Sequence, residues 1–218
     1  MAHDPVTEYA RRCVNDEVTI GEFEHVRMGR LHKAACQRHL NDLEKSRSPD
    51  YPFEWKPEKA QRILDYASRL TIKEGFAQKP LQLLDCQKFD LGCRIGWVKK
   101  RNGYRRFRRS YYSVARQNGK SMQNGILGPY IALCSGYEEG SLFTAATKKE
   151  QAKIAWHEMR KFIQADPDLE ELFDVKEYIS EIRCKPTKCL IRALSKDGGL
   201  DDGFRSIFSS LDRCICRV

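Results

Sequence analysis

Between Leu91 and Tyr137 the chain has no aspartate or glutamate, a run of 47 residues. Ten basic side chains lie in that run: Arg94, Lys99, Lys100, Arg101, Arg105, Arg106, Arg108, Arg109, Arg116 and Lys120. The whole chain has 39 Lys and Arg against 30 Asp and Glu, so 29 basic groups face 30 acidic ones elsewhere. The net charge of +9 therefore resides in this one segment. A field concentrated in this way attracts polyanions, either nucleic acid or nucleotide phosphate. A solvated hairpin with Arg-rich faces is the plainer alternative.

Other absences narrow the class. No apolar run approaches the roughly 18 residues of a helical membrane span. The first residues, Met1-Ala2-His3-Asp4-Pro5, lack the basic-then-apolar pattern of a secretory leader. The expected location is the cytoplasm, where thiols stay reduced. The nine cysteines are Cys13, Cys36, Cys86, Cys93, Cys134, Cys184, Cys189, Cys214 and Cys216. Their number is odd, and no pair has the two-residue gap of a zinc knuckle. Cys184 and Cys189 approximate it only loosely, so the cysteines read as free thiols. With 218 residues, 41% apolar and 32% charged, the composition fits one full core or one domain with appendages.

The stretch that is present and informative is Val114-Ala115-Arg116-Gln117-Asn118-Gly119-Lys120-Ser121. It ends in the Gly-Lys-Ser of a phosphate-binding loop. The full pattern has a further Gly five residues before Gly119, where this chain has Val114. Tyr111 to Ala115 reads as a strand before the loop, and the pattern from Met122 to about Cys134 reads as a helix after it. Strand, loop and helix form the context in which such a motif carries chemistry. Main-chain N–H groups of Gln117, Asn118, Gly119 and the helix start would face an anion. Lys120 would reach the terminal phosphates of ATP, and the Ser121 hydroxyl would hold Mg2+.

Around this motif the chain divides into three parts. Residues 1–75 read as a helical N-terminal segment. Apolar positions recur at loosely helical spacing between Gly21 and Lys45. A breaker cluster follows at Ser46 to Pro52, then a helix begins near Pro57. Ala60, Ile63, Leu64, Ala67 and Leu70 line one face of it, and Gly75 is the expected stop. Residues 76–205 read as a partial ATPase domain. In it Gln87 has an amide suited to adenine, and Asn102-Gly103 marks a hairpin turn after Trp97. Ser141 to Thr147 reads as a buried strand and Lys148 to Gln164 as an amphipathic helix. Asp166-Pro167 opens a short helix to Phe173. Strand-like runs follow near 177–183 and 188–194. Residues 206–218 read as an aberrant tail: Ile207 to Asp212 is a poor apolar strand, broken by two serines, and Arg213 follows its acid. The expected class is α/β, an incomplete phosphate-loop NTPase-like parallel sheet with flanking helices, preceded by the helical segment.

These residues resemble the N-terminal ATPase region of the phage terminase large subunit, the motor that packs DNA into tailed-phage heads. The resemblance runs from about Gly21 to Arg205. It rests on Leu84-Asp85-Cys86-Gln87 before Gly96-Trp97, the Arg-rich hairpin, Ala115 to Ser121, Ala145-Ala146 with Gln151-Ala152, and Ala193-Leu194-Ser195 with Asp202-Gly203. It implies an adenine contact for Gln87 and a phosphate-sensing role within the loop for Arg116, which with Lys120 would serve catalysis. It also implies that Arg105, Arg106, Arg108 and Arg109 face ATP phosphates or DNA. The implied partners are ATP, double-stranded DNA, a portal and a small terminase subunit, in the host bacterial cytoplasm and with no membrane. The family pattern continues into an apolar strand with an Asp-Glu pair and a nuclease domain, which this sequence does not show. The change after Arg205 predicts a shifted reading frame or truncated product with impaired hydrolysis. The rival readings are a non-enzymatic basic nucleic-acid-binding module and a remnant of a degraded prophage gene.

Overall fold

The structure, a computed structural model, describes residues 4–19, 26–74, 77–115, 118–146, 148–195 and 205–211. Its contacts divide the chain into two compact units. One comprises residues 1–68 and 82–112, the other residues 69–81 and 113–218.

The first unit is built from α1 (Pro5–Val14), α2 (Arg30–Lys45), β1 (Phe53–Trp55), α3 (Pro57–Arg69), α4 (Asp85–Gly96) and β4 (Trp97–Lys99). Helix α1 starts where an aspartate precedes a proline: Asp4 Oδ1 accepts the N–H groups of Val6 and Thr7 at 3.1 and 3.2 Å. Proline at the first helical position loses nothing there, because that N–H has no helical partner. Helix α3 buries Ala60, Ile63, Leu64 and Ala67, the expected face. It ends at Arg69, ahead of Gly75, because β-branched Thr71 and Ile72 continue into a strand; Gly75 itself lies outside the described residues.

At the centre of this unit is His39, 2% exposed. The Trp97 indole N–H donates to its Nδ1 at 2.9 Å, and its Nε2 lies 2.9 Å from Thr7 Oγ1. With Nδ1 accepting, the proton belongs on Nε2, which donates to the Thr7 oxygen. Thr7 in turn donates to Asp4 Oδ2 at 2.6 Å, and the same carboxylate accepts the Trp55 indole N–H at 2.8 Å. This closed chain works only with a neutral imidazole.

β1 pairs antiparallel with β4, Phe53 opposite Lys99. Beyond β4 the expected Asn-Gly turn forms: Gly103 takes φ +68°, and its N–H donates to Lys99 O at 2.8 Å. A positive φ at this point is what glycine allows without side-chain strain.

The second unit holds the hairpin of β2 (Thr71–Glu74) and β3 (Ala77–Pro80), helices α5 (Lys120–Cys134), α6 (Lys149–Ala165) and α7 (Pro167–Leu172), and strands β5 (Ser141–Ala146), β6 (Phe173–Lys176), β7 (Glu181–Cys184), β8 (Leu190–Ser195) and β9 (Ser206–Leu211). The last five form one sheet in the order β6-β7-β8-β5-β9. β5 is parallel to both β8 and β9, while β7 is antiparallel to β8 and to β6. The sheet is thus mixed rather than largely parallel. Short connections between β6, β7 and β8 impose antiparallel pairing, whereas the chain from β5 to β8 passes through α6, α7, β6 and β7.

One further expectation is corrected. Tyr111 to Ala115 belongs to no strand, since no described strand lies beside it and a strand exists only through its ladder. Ser206 to Leu211, in the stretch read as a poor apolar strand, is an edge strand beside β5, with a register shift after Ser141 that sets Leu142 opposite Phe208.

Helix α6 buries Ala152, Ala155, Trp156, Met159, Phe162 and Ile163, all on the expected face. Against it α5 presents Gly125 and Gly128. A Cβ on Gly125 would come within 2.8 Å of Phe162 Cε2, so the two helices approach at glycine.

Two tests follow from this packing. His39 titrates at 6.5 when unfolded, and burial pushes it down to about 4 in the fold. The unfolded chain therefore binds more protons between these values. Stability held at neutral pH is lost as pH falls through that window, by up to about 3 kcal/mol. Urea unfolding at pH 7 and pH 4.5 measures this, and a His39→Gln variant should show a flatter profile. Gly125→Ala should lower stability by about 1–3 kcal/mol through overpacking, despite alanine's better helix propensity; thermal unfolding reads it out.

Candidate nucleotide-binding site

Helix α5 begins abruptly. Gly119 takes φ +75° and ψ +17°, the left-handed region, and no side chain caps the helix end. The first intrahelical bond runs from Gln123 N–H to Gly119 O at 2.9 Å. The N–H groups of Lys120, Ser121 and Met122 precede that bond and have no helical acceptor. They share one end of the helix, where the peptide dipoles give a partial positive charge. An anion fits such a place.

Lys120 is exposed, and its Nζ donates to Val114 O at 3.1 Å, folding back across the loop. Ser121 is half-buried in the first turn, and Asn118 is exposed just ahead of Gly119. Gln123, one turn into α5, is 1% exposed and neither atom of its amide has a hydrogen-bond partner among the described residues. The structure thus brings Asn118, Gly119, Lys120 and Ser121 together at one helix end. Arg116 and Gln117 lie outside the described residues. The donor set fits a phosphate: amides, an ammonium and a hydroxyl, with no carboxylate among them.

Gln87 belongs to the other unit. It is the third residue of α4, 8% exposed, and its Oε1 accepts the Leu84 N–H at 3.0 Å. Half of its amide thus closes the helix start.

The Arg-rich hairpin separates into two kinds of residue. Arg106 does not face solvent. Its guanidinium is 2.8 Å from Asp42 Oδ2, with both side chains largely buried. It lies 4.5 Å from the centre of the Phe53 ring and 5.1 Å from that of Trp97. The expectation that it meets phosphate is corrected: a planar cation able to stack on aromatic rings was drawn into the core. Lys100 stays exposed but is held at the surface, donating to Ser46 O and Ser48 O at 3.0 and 2.6 Å. Arg105 is half-buried beside β4, while Arg108 and Arg109 are exposed.

One group of residues escaped sequence reading. The ligand atoms of Cys13, His32 and Cys36 lie within 4.8 Å of one another. The visible signal was the four-residue spacing of His32 and Cys36 on one helix. Cys13 comes from α1, and no spacing rule connects it to them.

A mixed five-stranded sheet with flanking helices defines an α/β protein. The family model described as "Terminase large subunit, ATPase domain" matches residues 85–215, more than half of the chain, and the chain belongs to that family. The crystal structure of the HK97 bacteriophage large terminase is similar in fold, with a TM-score of 0.59 at 20% identity. The match covers 70% of this chain and 30% of that one, so this chain spans about a third of that protein's length. No curated protein matches. No helix among the described residues is long and apolar enough to cross a membrane.

Proposed function

We propose that this chain is the nucleotide-binding part of a viral DNA-packaging motor, binding ATP with Mg2+ at the start of α5. The observation that carries this reading is the left-handed Gly119, which leaves three amides and Lys120 at one helix end. Lys120 grips the terminal phosphates, and the Ser121 hydroxyl holds magnesium. Bound magnesium neutralises charge on the phosphate oxygens. Arg116 senses phosphate, and the amides of Gln117 and Asn118 line the loop. In sequence Asp212 follows β9, which runs parallel to β5. Arg213 stands where the family places its water-activating Glu. Loss of a positioned base slows hydrolysis by roughly 10²–10⁴-fold. The work would be done in the host bacterial cytoplasm, with a portal and a small terminase subunit as partners.

Binding of a fluorescent ATP analogue with Mg2+ tests the site. Lys120→Ala removes charge-assisted hydrogen bonds of about 1.5–3 kcal/mol and should weaken binding about 10- to 100-fold. Equal binding by both proteins would refute the assignment.

The exposure of Arg108 and Arg109 favours a second contact, with the DNA backbone. Each phosphate contact adds about −0.9 to the slope of log affinity against log salt. Replacing both arginines with alanine should flatten the slope by nearly two. Arg106→Ala should instead destabilise the fold by about 3–5 kcal/mol, because it strands a buried carboxylate. A salt-independent interaction with DNA would remove this second contact.

A further inference from the structure

The first unit contains a group of donors that the nucleotide reading does not use. Cys13 lies near the end of α1, and His32 and Cys36 occupy one face of α2. Both cysteines are fully buried, and His32 is half-buried. The three ligand atoms lie within 4.8 Å of one another. The Tyr9 hydroxyl is 3.0 Å from His32 Nε2, in hydrogen-bonding reach of the group.

We propose that Cys13, His32 and Cys36 form a structural zinc site that ties α1 to α2. Two sulfurs and one imidazole are the soft and borderline donors that zinc takes, and hard cations do not. Zinc holds sulfur at about 2.3 Å and imidazole nitrogen at about 2.0–2.1 Å. In a tetrahedron this places the donor atoms about 3.5–3.8 Å apart, so each moves inward by less than about 1 Å. The fourth place falls to water or the Tyr9 oxygen. On binding, each thiol releases its proton to solvent as its sulfur bonds the ion. Two thiolates and a neutral imidazole then balance the divalent charge, and no net charge is left buried. Metal-free, burial keeps both thiols protonated and raises them above the usual cysteine range.

The sequence separates these ligands: Cys13 and Cys36 are on different helices, and their link is purely spatial. The other buried cysteines differ. Cys189 donates its S–H to Tyr137 O at 3.3 Å, and Cys93 lies 3.6 Å from His39 Nδ1, whose lone pair already serves Trp97.

Cobalt substitution tests the site on the full chain. The metal-free protein, titrated with Co2+ under reducing conditions, should bind one equivalent. It should develop a thiolate-to-cobalt charge-transfer band with the d–d absorption of a tetrahedral centre, both abolished by Zn2+. Cys134→Ser, at an exposed thiol, should retain the spectrum, and Cys13→Ser with Cys36→Ser should lose it. Circular dichroism checks that the double variant folds. If it does not, His32→Ala, at a half-buried position, should weaken cobalt binding by more than the about 10–100-fold typical of an outer-shell partner. A chelator should lower the Tm of the zinc-loaded wild type and leave the His32→Ala protein unchanged. The proposal is overturned if the folded wild type gives no charge-transfer band with excess Co2+, or if the band survives in the folded double variant. It is overturned too if peptide mapping finds Cys13 disulfide-linked to Cys36 in protein purified under reducing conditions.

Discussion

One backbone angle sets the candidate site. At Gly119 the chain turns into the left-handed region and enters α5 without a side-chain cap. A serine or aspartate N-cap in extended conformation would have satisfied an early N–H and stabilised the free helix by a few tenths of a kcal/mol over glycine. That stabilisation is forgone, and the amides face outward. The rest of α5 compensates through packing. Gln123 through Ala132 are buried except at Asn124, and the approach to α6 at Gly125 and Gly128 holds the helix in place behind its uncapped end. A helix with such an end stands by tertiary contacts more than by its own propensity.

The first unit depends on a different kind of constraint. Its centre is polar: Asp4, Thr7, His39 and the two indoles hand hydrogen bonds from one to the next. Each donor has an acceptor, so the buried network specifies one arrangement rather than merely filling space. Arg106 and Asp42 extend the same principle to a buried ion pair, with Tyr51 donating to Asp42 Oδ1 at 2.6 Å. Such pairs add little net stability, but losing one partner is costly. The first unit also packs tightly at glycine, Gly92 on Val6 and Gly96 on Trp55, so its satisfied polar centre is what sets it apart from the second.

What could be read in the sequence follows from this contrast. Helix α6 was legible because its six buried positions repeat with the helical period and depend on nothing distant. The turn at Asn102-Gly103 and the start of α7 at Asp166-Pro167 were legible because their chemistry is local. Asp4-Pro5 carries the same start signal at α1, inside a segment expected to be helical only as a whole. The basic run was legible as charge but not as geometry. Nothing in the composition distinguishes Arg106, drawn onto Phe53 and Trp97, from the exposed Arg108. The strand expected at Tyr111 to Ala115 failed because a strand is a pairwise object, and an apolar segment with no neighbour does not become one. Cys13 meeting His32 and Cys36 is likewise a product of how α1 and α2 pack.

On the proposed function, the ammonium of Lys120 connects fold to ligand. It donates to Val114 O, six residues back and across the loop from its own helix. This bond is exposed, so water competes with it and its net worth is about 0.5–1.5 kcal/mol. A triphosphate at the helix end offers a charged acceptor, and charge-assisted bonds are roughly twice as strong. On the proposed function, the exchange of a carbonyl for a phosphate oxygen is downhill for the lysine. It also releases Val114 and with it one tether of the loop. Nucleotide binding would then shift the loop by the difference between those two bonds, the only form in which a ligand can bias a conformation. The same residue that grips the phosphate would in this way report its presence to the segment preceding the helix.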